Sequence, residues 1–116
     1  MLAIMAAFYI RRSFLSRSLH NYTGSEAQQR VQAGSILLDV RTAGERRSLS
    51  IPSSLHIPVH QISARVKELE KYREKEIICY CASGNRSVSA AITLKKAGFT
   101  VGNLTGGISS WNFSKN

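Results

Sequence analysis

The chain has 116 residues, with 16 Lys and Arg against 7 Asp and Glu, for a formal net charge of +9 at pH 7. A chain of that length makes one domain and can bury about two thirds of the surface its unfolded form exposes, so its core needs neither disulfides nor a structural metal. Hydrophobic residues at 43% and charged residues at 20% exclude a disordered chain, a collagen-like repeat and a polytopic membrane protein.

Met1 to Ile10 contain no polar residue besides Tyr9, and Arg11 and Arg12 follow. Ten helical residues rise about 15 Å, whereas a bilayer core needs about 20 apolar residues, so this stretch cannot span a membrane alone. Its charges come after the apolar run and no small-residue cleavage site follows, which argues against a secretory signal. Three readings stay open: a packed or disordered extension, an interfacial anchor built on Phe8, Phe14, Leu15 and Leu19, or the end of a longer span lost to a late start. In either membrane reading the arginines keep the domain on the cytoplasmic side. Residues 1–18 are therefore set apart as an apolar and basic extension open to peripheral membrane contact, and residues 19–116 as the folded domain.

Ser25 with Gln28 has capping-box spacing, which predicts a helix over 26–33 closed by Gly34. Ile36-Leu-Leu-Asp-Val40 reads as a strand buried on both faces of a parallel sheet. Ile51-Pro52 and Ile57-Pro58 bracket a short second strand. Val59, Ile62, Val66 and Leu69 recur at three and four residues, the spacing of one face of a helix running to about Tyr72. Around them Lys67, Lys71 and Lys75 alternate with Glu68, Glu70, Glu74 and Glu76, the pattern of a solvated helix face. No zinc-finger spacing, aromatic RNA-binding signature or arginine tract accompanies these cations, so the net charge points to small anionic substrates or an acidic surface and not to nucleic acid.

Ile77-Ile-Cys-Tyr-Cys81 is the next run of strand length, followed by the polar loop Ala82-Ser-Gly-Asn-Arg86. A helix is expected from Ser87 through Ala90, Ala91 and Leu94 to a stop at Gly98, then a strand over 100–104, a turn at Gly106-Gly107, and a helical turn carrying Trp111. Strands alternating with helices give an α/β fold with a mainly parallel central sheet and helices on both faces.

Cys79 and Cys81 are the only cysteines. Two cysteines cannot make a disulfide framework, a zinc site would have to recruit His20, His56 or His60 from afar, and a bridge between residues i and i+2 of a strand is geometrically poor. The sequence thus implies no metal and no cofactor, and a reducing, cytoplasmic compartment. Cys81 stands at the carboxyl end of a strand, before a glycine-containing loop and a helix N-terminus, where ligands bind in open α/β sheets. Loop N–H groups and the helix dipole cradle an anion there. The first such anion is the Cys81 thiolate, whose pKa surroundings of this kind lower to about 3.5–7.5. Cys81 is then a nucleophile without a general base, and Cys79 a buried, inert neighbour on the same face.

Four motifs occur in order: Asp39-Val40-Arg41 with Glu45 four residues on, the two Ile-Pro pairs, Cys81-Ala-Ser-Gly-Asn-Arg-Ser87, and Leu104-Thr-Gly-Gly-Ile108 with Trp111. Together they resemble the single-domain rhodanese family of sulfurtransferases over residues 20–113. The resemblance implies a rhodanese-like fold, a catalytic Cys81, and a substrate-binding loop of Ala82, Ser83, Gly84, Asn85 and Arg86. It implies that the Cys81 thiolate attacks the outer sulfur of a small anionic donor, thiosulfate or a persulfide, and that cyanide or a thiol takes the sulfur from the resulting Cys81 persulfide. Arg86 is expected to pair with the donor's oxyanion, and Ser87 to cap the helix or donate to the anion. Asp39 and Arg41 are expected to form a structural ion pair, Glu45 to cap or pair locally, and Trp111 to cover the core. One segment departs from the family: its Gly-His-Ile-Pro-Gly-Ala reads Leu49-Ser-Ile-Pro-Ser-Ser54 here, which alters the local turn. Four residues between Cys81 and Arg86, in place of the five of phosphatase and arsenate reductase loops, argue against those enzymes. The remaining alternative, a non-catalytic rhodanese-like binding module, typically lacks the cysteine.

Overall fold

The computed structural model describes residues 19–114, and the extension at 1–18 lies outside the described residues. Five strands form one parallel sheet: β1 (His20–Tyr22), β2 (Ile36–Asp39), β3 (Leu55–His56), β4 (Glu76–Tyr80) and β5 (Thr100–Leu104), in the spatial order β1-β5-β4-β2-β3. The register sets Leu38 beside Cys79, and Cys79 beside Asn103. Because side chains alternate across a strand, Leu38, Cys79 and Val101 face one way and join Cys81, Ile62, Leu69, Ala90, Ala91 and Leu94 in the larger core. Leu37, Ile78, Tyr80 and Leu104 face the other way, onto Ala27, Ile51 and Tyr22. Both faces of the sheet are covered, so the expected α/β architecture holds.

Three elements away from the cysteine loop differ from the sequence reading. First, helix α1 runs Gly24–Gln32, and its capping box is Thr23 with Glu26, not Ser25 with Gln28: Thr23 Oγ1 accepts from Glu26 N–H at 3.2 Å, and Glu26 Oε1 accepts from Thr23 N–H at 2.9 Å. The helix starts early because β1, a strand its His-Asn-Tyr composition does not announce, ends one residue before Thr23. β1 exists because Gly102 on β5 has no side chain: a Cβ there would lie 2.7 Å from Tyr22 Cε2. The Tyr22 ring crosses that gap, and its hydroxyl donates to Glu76 Oε2 on β4 at 2.7 Å. Second, the helix expected over 59–72 is one α-turn, α3 (Ile62–Arg65), between 3₁₀ segments Val59–Gln61 and Val66–Tyr72. Side chains three apart eclipse on a 3₁₀ turn, and the bidentate pairs Arg65–Glu68 and Arg73–Glu70 have that spacing. Third, α2 (Ala43–Ser48) is a helix the strand-centred pattern passes over, opened by a Thr42–Glu45 capping box.

Candidate active site

Cys81 follows the last residue of β4, and helix α4 (Asn85–Lys96) begins four residues later with Gly84 as its N-cap at φ 107°. The helix opens two residues before the expected Ser87, because Gly84 alone among Ala82, Ser83 and Gly84 adopts the left-handed backbone without strain. Gly84 N–H donates to Cys81 Sγ at 3.0 Å, and Ser87 Oγ lies 3.4 Å from the same sulfur. Cys81 is fully buried. Burial alone would push its thiol up, but the Ser87 hydroxyl and the N–H groups of Ser87, Gly84 and Ser83 outweigh it, and the thiol is held below its ordinary value. Cys79 has burial without such donors, with the Cys81 charge acting in the same direction, and is pushed up to about 12. The two thiols, two residues apart, are thus separated chemically by the loop that only Cys81 enters.

Ser87 does not cap α4. Lying in the first turn of the helix, its hydroxyl donates to Asn103 Oδ1 at 2.5 Å, and Asn103 Nδ2 donates to Asn21 Oδ1 at 3.3 Å. A polar chain therefore runs from the buried sulfur through buried Asn103 on β5 to exposed Asn21 on β1. Asn103 escaped the sequence reading, although a lone amide inside the otherwise apolar second half of β5 is a usable signal, since a buried amide needs partners. Beneath the loop, Ile108 N–H donates to the Cys81 carbonyl at 2.9 Å. Gly107, at φ 68°, packs so closely that a Cβ would collide with the carbonyls of Cys81 and Ala82. Ala82 thus contributes main chain to the loop's support, while Asn85 and Arg86 form the start of α4. Trp111 lies just past the last helical turn, a 3₁₀ segment over Gly107–Ser110, and not within it as expected, and it is half-buried against the smaller core.

Arg86 extends from α4 to α2: its Nη1 and Nη2 donate to Glu45 Oε1 and Oε2 at 2.7 and 2.8 Å. Glu45 Oε1 also accepts from Thr42 N–H at 3.0 Å. Arg86 first, and the Thr42 N–H next, hold the Glu45 carboxyl at about 2. Asp39 and Arg41 are both buried, with Arg41 Nε and Nη2 each donating to the carboxylate at 2.9 Å. Arg41 Nη2 further donates to the Leu49 carbonyl at 2.6 Å, and Arg46 joins Asp39 Oδ2 to the Ser54 carbonyl. This clamp holds the segment that departs from the family motif. There Pro52 and Ser53 are the central residues of a turn closed by Ser54 N–H on the Ile51 carbonyl at 3.2 Å. Ser53 sits at φ 67°, the left-handed third position of a type II turn that favours glycine. Among the described residues no group of three or more His, Cys, Asp or Glu is placed to hold a metal.

A model of the rhodanese-like domain family matches residues 23–114. A sulfurtransferase of Allochromatium vinosum is 39% identical over 77 residues, covering 66% of this chain and 70% of the relative. A thiosulfate sulfurtransferase of Pseudomonas syringae is 34% identical over 87 residues, 74% of this chain and 80% of its own. A solved rhodanese-related protein of Thermoplasma volcanium superposes with a TM-score of 0.73 at 33% identity, covering 79% of this chain and 89% of that one.

Proposed function

The chain belongs to the rhodanese-like domain family, and from that membership we propose that it is a sulfurtransferase working through a persulfide on Cys81. The observation that supports this most directly is the Sγ environment: the Gly84 N–H and the Ser87 hydroxyl, which can turn its proton to an anion, converge on one sulfur at the head of a helix. Such donors stabilise a thiolate and, equally, the terminal sulfur anion of a persulfide. In the first half-reaction the thiolate attacks the outer sulfur of thiosulfate. The Sγ–S bond forms, the donor S–S bond breaks, and the electron pair leaves with sulfite. In the second, cyanide or a thiolate takes the outer sulfur and the bonding pair returns to Sγ. No proton moves in either half with anionic partners, so the absence of a histidine beside Sγ costs nothing.

The reading assigns Ala82 to Arg86 as the loop that receives the sulfur, with Ser87, Asp39 and Arg41 holding its surroundings in place. The full burial of Cys81 suits a slim sulfane sulfur better than a bulky phosphate ester. A free, low-pKa thiol suits a reducing, cytoplasm-like compartment. No helix among the described residues is long and apolar enough to cross a membrane, and any membrane contact is assigned to residues 1–18. The test is intact-mass analysis after incubation with thiosulfate. Wild type and Cys79→Ser should gain one sulfur and Cys81→Ser none. Absence of any gain from thiosulfate or from a thiol persulfide would leave a non-catalytic binding module.

A further inference from the structure

Resting on the sulfur-transfer reading above, we propose that Glu45 is a specificity-determining residue that turns the site away from dianionic thiosulfate and toward persulfides carried on a thiol. The end of the Arg86 guanidinium, which would grip two oxygens of an oxyanion, is already filled by the two carboxylate oxygens of Glu45 at 2.7 and 2.8 Å. Bidentate pairing of this kind is both strong and geometrically exclusive. Nor is the Glu45 carboxylate free to swing away, since Thr42 N–H donates to Oε1 at 3.0 Å. Two further arginines, Arg41 just after β2 and Arg46 on α2, are engaged as well: Arg41 with Asp39 and the Leu49 carbonyl, Arg46 with Asp39 and Ser54. What converges on Sγ is a set of neutral groups, the donating Gly84 N–H and the Ser87 hydroxyl, which suits a single sulfur atom.

A carboxylate fixed against Arg86 compensates that cation and repels an approaching dianion. A persulfide R–S–SH needs no such counter-charge. The Cys81 thiolate attacks its terminal sulfur, the Sγ–S bond forms, and the donor S–S bond breaks with its electron pair leaving on R–S⁻. The proton stays on the transferred sulfur as Cys81–S–SH. Atoms and charge balance, and no oxidant or reductant is consumed.

The experiment is single-turnover sulfur loading of the full chain, read by intact mass against donor concentration, with thiosulfate and with glutathione persulfide. Wild type should load from the persulfide with a second-order constant at least about tenfold higher than from thiosulfate. Glu45→Gln, whose amide oxygen can still accept from Thr42 N–H, should raise the thiosulfate constant about three- to tenfold through tighter apparent binding rather than faster loading at saturation. The ratio of thiosulfate to persulfide constants rises accordingly. A ratio that Glu45→Gln leaves unmoved overturns the proposal, and so does wild-type protein that prefers thiosulfate, a measurement independent of how the variant folds. Wild type that loads from neither donor refutes the sulfur-transfer reading itself.

Discussion

Replacing Ser87 with alanine removes the side-chain hydroxyl that lies against the Cys81 sulfur. Its oxygen is 3.4 Å from Sγ and donates its proton to Asn103 Oδ1 at 2.5 Å. A hydroxyl has one proton, so while Cys81 is a thiol its S–H can donate to Ser87 Oγ, and on ionisation the Ser87 proton turns to the sulfur and leaves Asn103. A hydrogen bond to a charged group is worth about 1.5–3 kcal/mol, and surrendering the neutral one to Asn103 costs about 1 kcal/mol. The difference, about 0.5–2 kcal/mol, is about 0.4–1.5 pKa units. Ser87→Ala should therefore raise the Cys81 pKa by that amount, and Asn103→Ala, which frees the hydroxyl for the sulfur, should lower it. The assay is the ultraviolet absorbance of the thiolate against pH, with Cys81→Ser as the blank; Cys79, pushed up to about 12, does not overlap. Because the folded value of Cys81 lies below the ordinary thiol value, its ionisation contributes stability that is fully present above the unfolded pKa and is lost as pH falls through the folded one. Ser87→Ala should thus cost more stability on the alkaline side of that window than on the acid side. Titrations shifted the same way in the Ser87 and Asn103 variants, or not at all, would refute the single-proton argument.

Gly107→Ala should displace the cysteine loop, because the new Cβ meets the carbonyls of Cys81 and Ala82 and the backbone is left-handed at φ 68°. Sulfur loading at Cys81 should fall at least about tenfold, with a stability loss of about 1–3 kcal/mol in urea titration. Ser53→Gly should act in the opposite sense, relieving a non-glycine residue at φ 67° in the turn after Pro52; thermal unfolding should shift upward by the equivalent of about 0.5–1 kcal/mol, with sulfur loading unaltered.

The strand, loop and helix around Cys81 were legible because each signal is local. An apolar run ends in a cysteine, a polar glycine-containing loop follows, and an alanine-rich amphipathic pattern comes next, all within about twenty residues; only the helix start, set by Gly84 and not by Ser87, was missed. The Ile51-Pro52-Ser53-Ser54 turn was only half legible: loss of the family's glycines signals an altered turn, but a serine at φ 67° is not announced by its residue type. Less local elements were harder. Thr23-x-x-Glu26 and Ser25-x-x-Gln28 both satisfy the capping pattern, and what decides between them is where β1 ends. β1 in turn depends on Gly102 making room for Tyr22, a fact about two strands and not about either segment.

The partners of Arg86 and Ser87 belong to the same category. Glu45 is 41 residues from Arg86 and Asn103 is 16 from Ser87, and each pair forms because parallel neighbours deliver their carboxyl ends to one side of the sheet. Since β2 and β4 pair in register, Asp39 beside Tyr80, the segments that follow them must leave the sheet together. A glutamate six residues beyond β2 and an arginine six residues beyond β4 are therefore within reach of one another. A motif of adjacent residues can thus declare the nucleophile and the size of its cradle, while the charge that a donor meets is set by topology. A cation counted from the motif alone is an attraction; the same cation counted with its cross-strand carboxylate is nearly neutral. On the proposed reading, therefore, the loop carries the sulfur chemistry, and the Glu45–Arg86 pair, not the loop, sets the charge that an arriving donor meets.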